Sequence, residues 1–267
     1  MVLSFDRWVG KVAIVTGASS GIGAAITEQL VEKGLKCINP IFFCCIRLSL
    51  SHAEKIDSIN SHRSGTGRRA NCTPLETDVS KEEDILNAFK WVKDNLGPVH
   101  ILINNAGILK KGSLGEGDSK IWENIFKVNV LGLCIATREA VKDMKANNID
   151  GHIIQINSIA GHQIPSYPGL NVYPASKYAV TALAETLRLE LNSAKSKIKI
   201  TSISPGAVST EIVSGNEDFK KILENLVKEK QILDAEDIAD SVIYALSTPP
   251  HVQIQELTIR PVIEPLG

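Results

Sequence analysis

The stretch "KVAIVTGASSGIGAAITEQL", residues 11–30, decides the architecture. A short β-branched run, "KVAIVT", leads through the glycine-rich turn "TGASSGIG", Thr16 to Gly23, into an amphipathic stretch, so one strand feeds one helix. Gly17 permits the tight turn, Gly21 lets the backbone approach a pyrophosphate, and Gly23 lets helix and strand pack closely. The helix N-terminus then faces the phosphates. On their own these glycines read equally as a structural turn.

Three later runs repeat the pattern: "VHILIN" at 99–104, "GHIIQIN" at 151–157 and "KIKITSIS" at 197–204, each followed by a helix-like or loop segment. Helices are predicted over 81–95, 120–145, 175–194 and 234–246, the first capped by Asp78 or Ser80 and stopped before Gly97-Pro98. Strands alternating with helices predict an α/β chain of one domain, a doubly wound, mostly parallel sheet with helices on both faces. "SHRSGTGRRAN", residues 61–71, reads as a solvated loop between helix and strand.

Of the 267 residues 43% are hydrophobic and 22% charged, with a formal net charge of -1, which gives no basic patch for nucleic acid and no acidic tail. A small neutral or apolar partner suits that balance. Five cysteines, an odd number without C-x-x-C spacing, argue against a disulfide framework and a zinc site. Nor do the six histidines show paired metal-ligand spacing. The start, "MVLSFDRWVGKVAIV", has no apolar run with a cleavage site, and no segment reaches the roughly 18 apolar residues of a membrane span. The expectation is a reduced, cytoplasmic protein in which Asn71-Cys72-Thr73 is never glycosylated.

Chemistry enters with Tyr173-x-x-x-Lys177, whose spacing puts a phenol and an ammonium on one helical face. Alone, such a pair is ordinary surface decoration. Ser158, however, ends the run "GHIIQINS", and ligands of open α/β sheets sit at the C-terminal ends of strands. "NNAG", Asn104 to Gly107, follows "VHILI", and Asn129 lies in "KVNVLG"; buried amides at a strand end need partners, which a ribose or a water chain supplies and a structural turn supplies equally.

Taken in order, TGxxxGIG, NNAG, Asn129, Ser158 and YxxxK resemble the short-chain dehydrogenase/reductase family over nearly the whole chain, and hence a Rossmann fold. "VNVLGLCIATREA", "KYAVTAL" and "VIYALSTPPHVQIQELTIRP" are similar to the narrower group of insect farnesol dehydrogenases and vertebrate dehydrogenase/reductase family member 11. The resemblance implies NADP(H) as cofactor and hydride transfer between nicotinamide and a carbinol or carbonyl carbon. It makes Tyr173 the acid/base, assisted by Lys177, with Ser158 on the substrate oxygen and Asn129 organising a water that relays protons through Lys177. A free phenol titrates near pH ~10, so a nearby cation must favour its phenolate for it to act as a base. The same resemblance gives the cofactor to Gly17, Ser19, Ser20, Gly21, Ile22 and Gly23, to Asp78 and Val79 at the adenine, and to Asn105, at the adenosine ribose, with Ala106 and Gly107. Tyr173 and Lys177 join it, as do Pro205, Gly206, and Val208 and Thr210 at the carboxamide. Pro174, in a first helical turn, does not count against activity.

One stretch breaks the pattern. About 20 residues beyond the glycines an NAD enzyme places an acidic residue on the ribose and an NADP enzyme a basic one. From Lys36 through Ala53 there is no Asp or Glu, which disfavours NAD, and Arg47 is the arginine available to a 2'-phosphate. Yet "CINPIFFCCIRLSLSH", residues 37–52, shares nothing with the smooth strand expected, and the helix start "EKI" arrives late, at Glu54 to Ile56. Three readings stand side by side: a strand with a bulge at Pro40, an insertion that touches a membrane, or a misplaced exon boundary.

Ile159, Ile164, Tyr167 and Leu170, with Ile212 and Val213, suggest an apolar substrate wall, or plain packing, and His162 is expected in solvent or on the substrate. The resemblance implies an apolar alcohol or ketone, farnesol or a ketosteroid among them, and a homodimer or homotetramer paired through 120–145 and 175–194. The rival reading is a non-catalytic nucleotide-binding or interaction protein of the same fold.

Overall fold

The β-branched runs become the strands of one parallel sheet. The structure is a computed structural model and describes residues 3–42, 71–166, 169–213 and 231–263. Its strands are β1 (Val12–Val15), β2 (Lys36–Phe42), β3 (Asn71–Thr77), β4 (Val99–Asn104), β5 (His152–Ile156), β6 (Lys199–Pro205) and β7 (Glu256–Ile259), in the order β3-β2-β1-β4-β5-β6-β7. Every pairing is parallel. Parallel neighbours require crossovers, and the described ones carry helices: α1 (Gly21–Glu32), α2 (Glu82–Asn95), α3 (Ser119–Phe126), α4 (Leu133–Ala146), α5 (Tyr173–Ser193) and α6 (Ala235–Ser247).

Uninterrupted apolar runs in the central strands follow from burial of both faces. Ala13, Val15, Ile101, Ile103, Ile154 and Ile156 pack with Ile26 and Leu30 of α1 and with Ile238, Val242 and Leu246 of α6. Their neighbours in sequence, Val12, Ile14, Leu102 and Ile153, turn to the other face, against Ile85 and Val92 of α2, Ala136, Ala140 and Met144 of α4, and Ala184 and Leu191 of α5. Among the described residues no helix is long and apolar enough to cross a membrane.

Pro40 does not bulge its strand. Pairing advances evenly from Lys36↔Asn71 to Phe42↔Thr77, with Pro40 opposite Leu75. The ladder to β1 ends at Ile38, so at Pro40 β2 pairs with β3 alone. Arg47, the rest of 37–53 after Phe42, the "EKI" start and residues 61–70 lie outside the described residues.

Two other expectations are corrected. Neither Asp78 nor Ser80 caps α2: Lys81 holds that position, while Asp78 Oδ1 accepts from the backbone N–H and the hydroxyl of Ser80, closing a local turn instead. The helix predicted over 120–145 is not uniform, because Lys127–Gly132 between α3 and α4 is π-helical, a widening often found at functional sites.

The turn after β1 is tightly packed. Gly17 adopts φ +65, and a Cβ there would lie 2.9 Å from the Cα of Ala106. At Gly23 a Cβ would lie 2.3 Å from the Gly17 carbonyl oxygen and 2.5 Å from Asn105 Nδ2, so α1 closes on its own turn and on the β4 exit rather than on a strand. Gly23→Ala is expected to destabilise the chain by about 1–3 kcal/mol, the usual cost of overpacking, read by denaturant unfolding.

Candidate active site

Apolar strands turn polar where they leave the sheet. Asn104, Gln155 and Ser202 stand in register on β4, β5 and β6, all buried, at the C-terminal half of the strands where the loops converge. β1 is flanked by β2 on one side and β4 on the other, and the exits of β1 and β4 bound the crevice at this switch in strand order.

Hydrogen bonds stitch the two exits together. Thr16 Oγ1 accepts the N–H groups of Asn105 and Ala106, both at 3.0 Å, and Asn105 Nδ2 donates to the carbonyls of Thr16 and Gly17, again at 3.0 Å. The amide that the resemblance assigned to a ribose thus spends its donors on the glycine turn. Thr16 was not singled out by its sequence context, although a hydroxyl at a strand end before a glycine is the signal that would have found it.

Above this stitch α1 offers its N-terminus. Ser20 makes no side-chain cap bond, and the first turn holds no acidic residue that would repel an anion. Thr210 closes on the same turn, its methyl 3.1 Å from where a Cβ on Gly21 would lie. The segment carrying Thr210 is itself pinned: Gly206 N–H donates to Ile259 O at 2.7 Å, and Ser209 N–H to Leu233 O at 2.8 Å. On the other side Val79 is buried and Asp78 is half-buried, its N–H donated to Asp84 Oδ2. Close-approach glycines, an uncompensated helix end and a fixed threonine together fit a dinucleotide phosphate.

Tyr173 and Lys177 begin α5, which starts earlier than expected and takes Pro174 into its first turn. Both side chains are buried, and Lys177 Nζ lies 5.9 Å from the Tyr173 ring centre. Nζ donates to Ile156 O at 3.0 Å, on the strand that delivers Ser158. Ser158 leaves β5 extended, accepts from the Ala160 N–H at 3.1 Å and hydrogen-bonds Tyr173. Ser158, on a strand exit, and Tyr173 and Lys177, on a helix, therefore share one site.

Asn129 sits in the π-helical stretch with its amide committed. Its Nδ2 donates to Ile108 O at 3.0 Å and to Ser176 Oγ at 3.1 Å, and Oδ1 accepts the Ile108 N–H at 2.8 Å. Ser176 in turn donates to Tyr173 O at 2.7 Å, so Asn129 ties the loop after β4 to the first turn of α5. Ser176 was also missed by sequence reasoning, though it lies inside the Tyr-Lys motif. Gly107 joins this group: a Cβ there would be 3.6 Å from Asn129 Oδ1 and 4.0 Å from Lys177 Nζ.

The charges of the pair are set by burial. Burial pushes the Tyr173 phenol up to about 12, and the Ser158 hydrogen bond pulls it the other way without overcoming it. Among the chain's own groups the phenol is thus kept protonated at neutral pH, poised to donate rather than to accept. Burial brings the Lys177 ammonium down to about 8.

His162 is exposed, as expected, and its ring meets Ser204 Oγ at 2.9 Å on β6 and Glu256 Oε1 at 3.4 Å on β7. Of the apolar wall, Ile159 is buried, Leu170 is half-buried, and Ile164 and Ile212 are exposed; Tyr167 and the Val213 side chain lie outside the described residues. Loop 169–172 is fastened to the loop after β4, since Gly112 N–H donates to Gly169 O at 3.0 Å and Asn171 Nδ2 to Lys110 O at 2.5 Å.

Known proteins are similar to this chain in sequence and fold. A family model described as short chain dehydrogenase matches residues 11–221. The farnesol dehydrogenase of Aedes aegypti is 44% identical over 97% of this chain and 99% of its own. Dehydrogenase/reductase SDR family member 11 of Mus musculus is 43% identical, covering 96% of each chain. Among solved structures, the closed form of serine dehydrogenase complexed with NADP+ superposes with a TM-score of 0.76 at 29% identity, covering 94% of this chain and 95% of that one. An alcohol dehydrogenase from Thermococcus sibiricus complexed with 5-hydroxy-NADP superposes with a TM-score of 0.76 at 25% identity, over 94% and 97% of the two chains.

The buried ammonium makes a testable demand. A lysine whose folded value is depressed binds fewer protons than in the unfolded chain, so its burden on stability lifts as pH rises from about 8 toward 10.5. The melting temperature of Lys177→Met minus that of wild type is expected to fall across that window in a pH series.

Proposed function

The chain belongs to the short-chain dehydrogenase family, and on that premise we propose that it is an NADP-dependent alcohol dehydrogenase and carbonyl reductase acting on apolar substrates, farnesol/farnesal or a ketosteroid. The observation that carries this reading is the convergence of half-buried Ser158 with buried Tyr173 and Lys177 beside the β4 and β5 exits.

Gly17, Ser19, Ser20, Gly21, Ile22 and Gly23 hold the pyrophosphate, Asp78 and Val79 the adenine, and Asn105, Ala106 and Gly107 the adjoining ribose and the turn behind it. Pro205, Gly206, Val208 and Thr210 hold the carboxamide end. The bound nicotinamide supplies the hydride for reduction and accepts it in oxidation. Everything else falls to the side chains. Ser158 orients the substrate oxygen, and Tyr173 gives that oxygen a proton in reduction or takes one in oxidation. Lys177 holds the field that steadies the phenolate, and Asn129 fixes the loop where a water returns protons to Lys177. A phenol raised by burial favours the donating direction at neutral pH.

Support for NADP comes from the absence of any acidic residue from Lys36 through Ala53 and from the NADP complexes of similar structures. Arg47 is the proposed 2'-phosphate ligand. The farnesol dehydrogenase relative supports an isoprenoid alcohol, and the likeness to family member 11 supports a ketosteroid as the other candidate. Exposed Leu131, on the π-helical stretch, and exposed Tyr178 and Leu189, on α5, support subunit pairing through these helices.

Cofactor titration separates the possibilities. NADPH at 100 times its dissociation constant is expected to stabilise the fold by about 2.7 kcal/mol in a thermal melt, with NADH at the same concentration giving far less. Equal shifts from both would remove the NADP preference and the role of Arg47, and no shift from either would remove the cofactor site.

A further inference from the structure

Two separate pieces of chain carry the catalytic groups. Ser158 belongs to the exit of β5, whereas Tyr173 and Lys177 ride on α5. Efficient proton transfer needs the phenol, the serine hydroxyl and the ammonium at fixed spacing, so something must hold the exit against the helix. The Lys177 Nζ bond to Ile156 O is one tie, but it belongs to a group that must also serve the reaction.

Thr181, one helical turn beyond Lys177, provides another. Its Oγ1 accepts from Asn157 Nδ2 at 2.8 Å and donates to Gly161 O at 3.0 Å, with the carbonyl of Lys177 a more distant alternative at 3.3 Å. A hydroxyl has one proton and two lone pairs, so these contacts fit one donated and one accepted bond. Asn157 stands just before Ser158, and Gly161 closes the short 3₁₀ turn that Ser158 caps. The hydroxyl therefore grips the turn on both sides of the catalytic serine. There is no slack in the contact: a Cβ on Gly161 would sit 2.7 Å from Lys177 O and 2.8 Å from both Asn157 Nδ2 and Thr181 Oγ1. From the sheet side, Asn157 N–H donates to Ile203 O at 2.7 Å, so the gripped turn cannot slide along α5 without breaking that bond too.

We infer that Thr181 is a positioning residue for the reaction, its hydroxyl holding the Ser158 turn at the spacing from Tyr173 and Lys177 that proton transfer requires. The inference rests on the proposed function. None of these three contacts of the hydroxyl reaches Tyr173 Oη, Ser158 Oγ or Lys177 Nζ, so it acts through the backbone it holds.

The test uses the full chain with NADPH and whichever of farnesal and a ketosteroid the wild type reduces faster. Thr181→Val keeps the shape but removes both bonds, and is expected to lower kcat about 10–100-fold, the scale on which small misplacements of reacting groups act. The KM values for NADPH and for the carbonyl should stay within about threefold of wild type, and the isotope effect from 4-deuterated NADPH should rise as chemistry becomes slower. Thr181→Ser, which restores the hydroxyl without the methyl, should recover most of kcat. Should the valine variant fail to fold, Asn157→Ala cuts the grip from the other end and is expected to give the same kcat loss with unchanged KM. Wild-type kcat in Thr181→Val, or in Asn157→Ala where that variant stands in for it, would overturn the inference. So would a serine variant as slow as the valine one, since the methyl group's packing would then be responsible. An inactive wild type would overturn the inference together with the proposed function, a failure visible before any variant is made and distinct from an active Thr181→Val.

Discussion

The hydrogen bonds between Thr16 and Asn105 hold the site together. Parallel strands on either side of β1 send their connections to opposite faces of the sheet, so the exits of β1 and β4 tend to part and leave a crevice. Four bonds of about 0.5–1.5 kcal/mol each close its floor, and they are made by groups at the ends of the two strands themselves. With the floor fixed, Gly17 and Gly23 lie too near Asn105 and Ala106 to carry a side chain, and the start of α1 is aimed across the crevice. The geometry proposed to take a phosphate is thus a consequence of the stitch as much as of the glycines.

The catalytic side depends on the same logic of tied exits. β5 ends in Ser158, α5 begins with Tyr173, and the loop after β4 is drawn to α5 by Asn129 and Ser176. Three strand exits and one helix start are locked by side-chain amides and hydroxyls rather than by aliphatic packing, which is why the strands lose their apolar character here. Burial then sets the chemistry. With little water near them, the phenol resists ionisation and the ammonium tends to lose its proton, so the pair responds strongly to any charge placed beside it.

Much of this was legible in the residues because the informative signals were local. The strand-turn-helix at 11–30, the apolar runs of β4, β5 and β6, and the i, i+4 pair Tyr173 and Lys177 each state their geometry within one element. What stayed hidden was long-range. Nothing near Asn105 says that its amide turns back to Thr16, and nothing near Asn129 announces a π-helical turn, since both follow from what packs across the sheet. His162 is solvent-facing, as its loop position suggests, and what stayed hidden was only that β6 and β7 bring Ser204 and Glu256 to its ring. Pro40 misled differently. Proline suggests a disturbed strand, yet the pairing with β3 keeps an even register through it, beyond the end of the ladder to β1. The likeness to a dehydrogenase family, by contrast, was carried by motif order along the chain and needed no contact map.

The central claim is that Tyr173 is the acid/base of a hydride-transfer site, and a single substitution addresses it. Tyr173→Phe deletes one oxygen from a buried ring and leaves the cofactor crevice in place, so NADPH-dependent carbonyl reduction should fall by about 10²–10⁴-fold, the usual contribution of a positioned acid, while NADPH still raises the melting temperature. A Tyr173→Phe enzyme that turns over at the wild-type rate, with the fold intact, would contradict the account.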